Sequence, residues 1–159
     1  MLNIGGVNVN PLNNMLFDPE NPIIKLCAQG MEMEGAGQPA EALKIFQQAW
    51  DEATNNLEKF SAAHYVARHQ NSVADKLKWD QTALQLALDI KDDDIKGAYP
   101  SLYLNIAKCY EDLKAFDKAK QNYELALSHA AFLHDDGYGN MIKAGVANGL
   151  ARVASAQQA

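Results

Sequence analysis

One side-chain spacing occurs twice in this chain, and it suits very few folds. Between Tyr99 and Ala131, residues Tyr103, Ile106, Ala107 and Tyr110 stand at i, i+3, i+4 and i+7, along one face of a helix. Ala119, Tyr123 and Ala126 follow at i, i+4 and i+7 on a second helix. The same pattern is present earlier as Leu26, Gly30 and Met33, then Ala42, Phe46 and Ala49. Gly30 and Ala107 are 77 residues apart, as are Ala42 and Ala119. Ala107 and Ala119 leave room where two antiparallel helices cross closely, and the larger apolar side chains fill it. The duplication predicts a stack of helix pairs.

Two ordinary periods of about 34 residues would separate the copies by about 68, so a middle pair must fit with about nine extra residues. Ala63, Val66, Ala67 and Gln70 keep the spacing there, and Asn71, Ser72 and Asp75 form a longer turn. The helix after it carries Trp79, Ala83, Leu86, Ala87 and Ile90 on one stripe and Leu77, Leu84 and Leu88 on another. Two stripes predict neighbours on two sides. Trp50 and Trp79 read as core.

Punctuation agrees with this scheme. Asn21 caps a helix with Pro22 at its first position, Gly35 and Gly37 stop it, and Pro39 opens the next. Gln29 fills a slot that usually holds Leu, which predicts looser packing or an inward amide. Asp92 to Gly97 reads as a loop. After the polar turn HDDGYGNM, the residues Ile142, Val146, Leu150 and Val153 mark a last helix from about Asn140 to Ala154. The expected organisation is an extended arm over 1–20 and a helical domain over 21–159, with pairs at about 22–54, 57–91 and 99–131 and a cap at about 138–155.

The pattern Tyr-x2-Ile-Ala-x2-Tyr, then Ala-x3-Tyr-x2-Ala, resembles the tetratricopeptide repeat (TPR) signature. The likeness covers roughly residues 22–155, specific in the first and third repeats and loose in the second. AHYVARHQ, LKWDQTALQLAL and YPSLYLNIAKCYEDL are also similar to small bacterial stand-alone TPR proteins, some of which are labelled rRNA adenine methyltransferases. The resemblance implies an all-α, TPR-like α-solenoid of three helix pairs plus a C-terminal capping helix. It also implies a concave groove lined by the first helix of each pair. The lining slots hold Cys27 and Met31, then His64 and Arg68, then Ser101, Leu104, Asn105 and Lys108. TPR domains that clamp a peptide carboxylate use Lys and Asn in the first two repeats, and this chain departs from that set.

The expected binding groove is therefore His64, Arg68, Ser101, Asn105 and Lys108. Its ligand would be a peptide, a protein or an anionic group held by charge-assisted bonds. The plainer reading of the same residues is a solvated face with Arg68 paired to a local acid. Two other functions remain open: a small enzyme using His64 as base beside Arg68, and a structural module that self-associates as a homodimer.

Composition narrows the partners. Fourteen basic against twenty acidic residues give a net charge of −6 without a basic stripe, which argues against a nucleic-acid partner. No apolar run reaches membrane-spanning length, and the first residues lack the charged and apolar regions of a leader, so a cytoplasmic chain is expected. Cys27 and Cys109 read as buried thiols of a reducing compartment. Methyl transfer would need a Gly-rich cofactor loop and an Asn/Asp-Pro-Pro-aromatic loop. Gly5-Gly6 opens no suitable helix, and Asn21-Pro22-Ile23-Ile24 lacks both the second proline and the aromatic residue. No cofactor and no metal are expected. His64 and His69 are five apart, as are His129 and His134, where chelating pairs on a helix are four apart. The EF-hand-like Asp92, Asp94 and Gly97 have Lys96 and Tyr103 at ligand positions.

Overall fold

A computed structural model describes residues 3–4, 7–8 and 17–159. Among these are seven α-helices: α1 (Pro22–Gly35), α2 (Pro39–Glu52), α3 (Asn56–Ala67), α4 (Val73–Leu88), α5 (Tyr99–Asp112), α6 (Phe116–Ser128) and α7 (Gly137–Gln158). Two short 3-10 segments, Asp93–Ala98 and Ala130–Phe132, and an antiparallel pairing of Asn3–Ile4 with Val7–Asn8 complete the described structure. The fold class is all-α. The arm expected over 1–20 lies largely outside the described residues.

The helix starts follow from local chemistry. Asn21 Oδ1 accepts from the amides of Ile23 and Ile24 at 2.8 and 3.2 Å, and Pro22 follows it. Asn55, Ser72 and Asp136 cap α3, α4 and α7 in the same way, each accepting from the amide three residues on.

The duplication seen in the sequence returns in the turns. In α1–α2, the Gln38 amide donates to Met33 O at 2.9 Å and the Gly37 amide to Glu34 O at 3.0 Å. In α5–α6, Ala115 donates to Tyr110 O at 2.9 Å and Lys114 to Glu111 O at 2.9 Å. Both are nested C-terminal turns closed by a left-handed residue, Gly37 at φ 73° and Lys114 at φ 63°.

Helices pack in chain order, most closely within α1–α2, α3–α4 and α5–α6. α1 also touches α3, and α5 touches α7. The crossings are tight. A Cβ added at Gly30 would stand 2.2 Å from Phe46 Cε1, and Ala107 and Ala119 are completely buried together with Tyr123. Trp50 and Trp79 meet edge to face at 5.0 Å beside Ala83 and Ala87, in keeping with a core role.

Some expectations are corrected. Gln29 points to solvent, because Gly30 and Phe46 close the α1–α2 crossing without it. The span Asp92–Gly97 winds into the 3-10 segment Asp93–Ala98, since Ile95 is drawn into the core. The second stripe of α4 is incomplete: Leu88 is 45% exposed, and the buried face instead contains Asp80. α7 starts at Gly137 and runs to Gln158, beyond both expected ends, because Asp136 supplies a cap before the apolar periodicity begins.

Candidate functional site

The helix α3 presents His64, Tyr65 and Arg68 within little more than one turn, and the end of α1 supplies the counter-charge. Arg68 Nη1 donates to Glu34 Oε2 at 3.0 Å, and His69 Nε2 lies 2.7 Å from Glu34 Oε1. The Arg68 guanidinium lies over the Tyr65 ring, 4.8 Å from its centre. Tyr65 is stacked on Phe46 at 5.0 Å, and His69 on the same ring at 5.8 Å. Arg68 is thus fixed from below by a ring and from one side by a carboxylate. Most of its five donors remain for another acceptor.

The first turn of α7 supplies Tyr138. Burial raises the Tyr138 phenol above its ordinary value, opposed by the Ser101 hydroxyl and the Arg68 charge beside it. Burial likewise pushes the Tyr65 phenol up to about 12, against the charge of Arg68. The Cys27 thiol, close enough to Tyr65 to affect it, is pushed up to about 12 by burial. These groups stay protonated at neutral pH.

His64 sits between the rings of Phe60 at 6.2 Å and Tyr65 at 5.3 Å. Its Nδ1 is buried with no hydrogen-bond partner among the described residues. Burial, then the charges of Arg68 and Lys76, bring its pKa down to about 3, so it is a neutral imidazole and a weak base.

The structure divides the expected groove residues. His64 lies one turn before Arg68, which closes α3, and Ser101 lies in the first turn of α5. Ser101 is itself buried, its Oγ donating to Ala98 O at 3.1 Å. Asn105 is half-buried on α5. Lys108 is engaged on its own helix, with Asp112 and with Glu111 at 3.7 Å. Of the other lining slots, Cys27 is buried and Leu104 packs towards Gly145 of α7. Glu34, His69, Tyr65 and Tyr138 escaped the sequence reading. Glu34 and His69 lie 35 residues apart, and Tyr138 belongs to a turn that reads as plain connector.

A second polar cluster was also unforeseen. Asp80 of α4, 1% exposed, accepts from Lys76 Nζ at 2.5 Å and from Cys109 Sγ of α5 at 3.5 Å. Burial raises the Asp80 carboxyl against the pull of Lys76, and burial pushes the Cys109 thiol up to about 11. A protonated thiol feeding a buried ion pair is an anchor between helices rather than a nucleophile. Among the described residues, no three His, Cys, Asp or Glu side chains are grouped to hold a metal ion, and no helix is long and apolar enough to cross a membrane. No family model, curated protein or solved structure matches the chain.

Proposed function

We propose that the chain is a non-catalytic binding scaffold of the TPR-like solenoid type, which holds a segment of a protein or peptide against the face shared by α1, α3, α5 and the start of α7. The repeat spacing and the paired turns 77 residues apart support the solenoid reading. One observation carries the binding reading. Arg68, clamped by Glu34 and by the Tyr65 ring, is held partly exposed with guanidinium donors left for a ligand. Such a set suits a carboxylate or a run of backbone carbonyls. A base-catalysed role for His64 has less support, because an imidazole whose conjugate acid has a pKa of about 3 takes up protons poorly. The two buried free thiols suit a reducing cytoplasm.

Capture of partners from lysate by wild type and Arg68→Gln, with matched thermal melts, tests this reading. The neutral variant avoids setting a second carboxylate against Glu34. Loss of partners with a melting point nearly unchanged is the expected result. Equal capture by both proteins would move the binding surface elsewhere.

A further inference from the structure

We infer that His69 makes anion binding at Arg68 dependent on pH. Glu34 is one counter-ion shared by two side chains, and protonation of His69 answers its charge and leaves the Arg68 guanidinium to a ligand. The inference rests on the binding reading above and names the regulation of that same site.

Each oxygen of the Glu34 carboxylate has its own partner. Oε1 lies 2.7 Å from His69 Nε2, and Oε2 accepts from Arg68 Nη1 at 3.0 Å. A carboxylate only accepts, so Nε2 of the neutral imidazole carries the hydrogen and Nδ1 the lone pair. The side chains of His69 and Glu34 are 17% and 23% exposed, against 39% for Arg68, so the guanidinium is the most open of the three. Rings hold both partners in place. His69 is stacked on Phe46 at 5.8 Å, Tyr65 on Phe46 at 5.0 Å, and the Arg68 guanidinium lies 4.8 Å from the centre of Tyr65. The amides of Arg68 and His69 donate to Tyr65 O and Val66 O at 3.2 Å each, closing the last turn of α3. Charge can therefore change at His69 without either partner having to travel to Glu34.

The neighbouring elements leave the exchange to these three side chains. α1 turns Glu34 towards His69, and α2 contributes the uncharged Phe46 ring. α4 adds the uncharged Trp79 to the same cluster, while its Lys76 is bound to Asp80. From α3 come Arg68 and Tyr65, whose phenol burial pushes up to about 12. The charge count then gives the sign. With His69 neutral, Glu34 and Arg68 sum to zero, and an anion must compete with Glu34 for the guanidinium. Uptake of one proton from solvent at Nδ1 gives the trio a net positive charge. An anion arriving at Arg68 then meets a positive set in place of a neutral one. Histidine is the side-chain type whose charge ordinarily changes between about pH 5 and 8. By linkage, an anion bound at Arg68 favours the protonated imidazole to the same degree.

The test reads the His69 ring directly. Its Cε1–H signal, assigned with His69→Gln, is titrated by NMR in full-length wild type, Arg68→Gln and Glu34→Gln. Removing the competing cation in Arg68→Gln should raise the midpoint by about 0.5–1 pH unit, and removing the carboxylate in Glu34→Gln should lower it by a similar amount. Sulfate, a dianion throughout this range, is the ligand probe. Against chloride at equal ionic strength, it should raise the wild-type midpoint and leave that of Arg68→Gln unmoved. Equal midpoints in wild type and Arg68→Gln would overturn the inference. So would a wild-type midpoint indifferent to sulfate, a comparison that needs no substitution and stands even if a variant folds poorly. Equal partner capture by wild type and Arg68→Gln would remove the protein ligand proposed above while the sulfate response persisted. Loss of the sulfate response leaves the capture result as it was.

Discussion

Glu34 and Glu111, 77 residues apart, each end the first helix of a pair and each bind an arginine from the next helix that packs beside it. Glu34 holds Arg68, at the end of α3, and Glu111 holds Arg152 of α7. α7 therefore stands to α5 as α3 stands to α1. Burial pushes the Glu111 carboxyl up, but bonds from Arg152 and Tyr123 and the charges of Arg152 and Lys108 outweigh it, so its pKa is lowered. A carboxyl with a lowered folded pKa contributes stability above its ordinary value of 4.5, and that stability is lost as pH falls through the folded value. Glu111→Gln should cost ~1–2 kcal/mol at neutral pH and progressively less in acid. Urea melts at several pH values check this; a loss independent of pH would show that the charge is not what matters.

Ala119 is completely buried against Ala107, Tyr123 and Val153. Ala119→Leu inserts three carbons where the helices cross, and should cost ~1–3 kcal/mol. An unchanged urea midpoint and slope would show the crossing to be elsewhere.

Lys114 adopts the left-handed conformation that Gly37 adopts in the equivalent turn. A side chain there is strained by roughly 1 kcal/mol, and Lys114 is exposed, so little is lost with its side chain. Lys114→Gly should raise stability by ~0.5–1 kcal/mol. Gly37→Lys should lower it by a similar amount, and thermal melts of the two variants provide matched controls.

Because burial lowers the His64 pKa from 6.5 to about 3, the unfolded chain takes up the proton first. Stability tied to neutral His64 is complete above 6.5 and drains away as pH falls towards the folded value. His64→Phe should fold within about 1 kcal/mol of wild type at neutral pH, since Nδ1 has no partner to lose. It should also lose stability less steeply on acidification. Parallel acid titrations followed by circular dichroism would reveal equal slopes if the imidazole were solvated.

The helices were legible because each is written locally: Asn21 and Pro22 mark a start, Gly37 a stop, and Ala107 with Ala119 a crossing. The class of fold follows from such marks. The site was only partly legible, since its members meet across pairs. Arg68 could be placed at the end of the first helix of the middle pair from its slot. Nothing near it in sequence points to Glu34, which satisfies part of its charge. Asp80 escaped for a related reason. A carboxylate among Trp79, Ala83 and Leu84 reads as the polar side of an amphipathic helix until Cys109 and Lys76 are seen to flank it.

That buried aspartate makes one seam of the molecule partly polar, unlike the one beside it. α2 meets α3 largely through rings, with Phe46 against Tyr65, and Trp50 of α2 meets Trp79 of α4. Apolar contact of this kind weakens on cooling. α4 meets α5 through the buried cluster of Ala83, Ala87 and Leu102 and through the Cys109 thiol, which donates to Asp80; the Lys76–Asp80 pair lies within α4 itself. Chilling therefore works against the ring-built seam, while the seam between α4 and α5 keeps a directional thiol–carboxylate bond that does not depend on apolar contact.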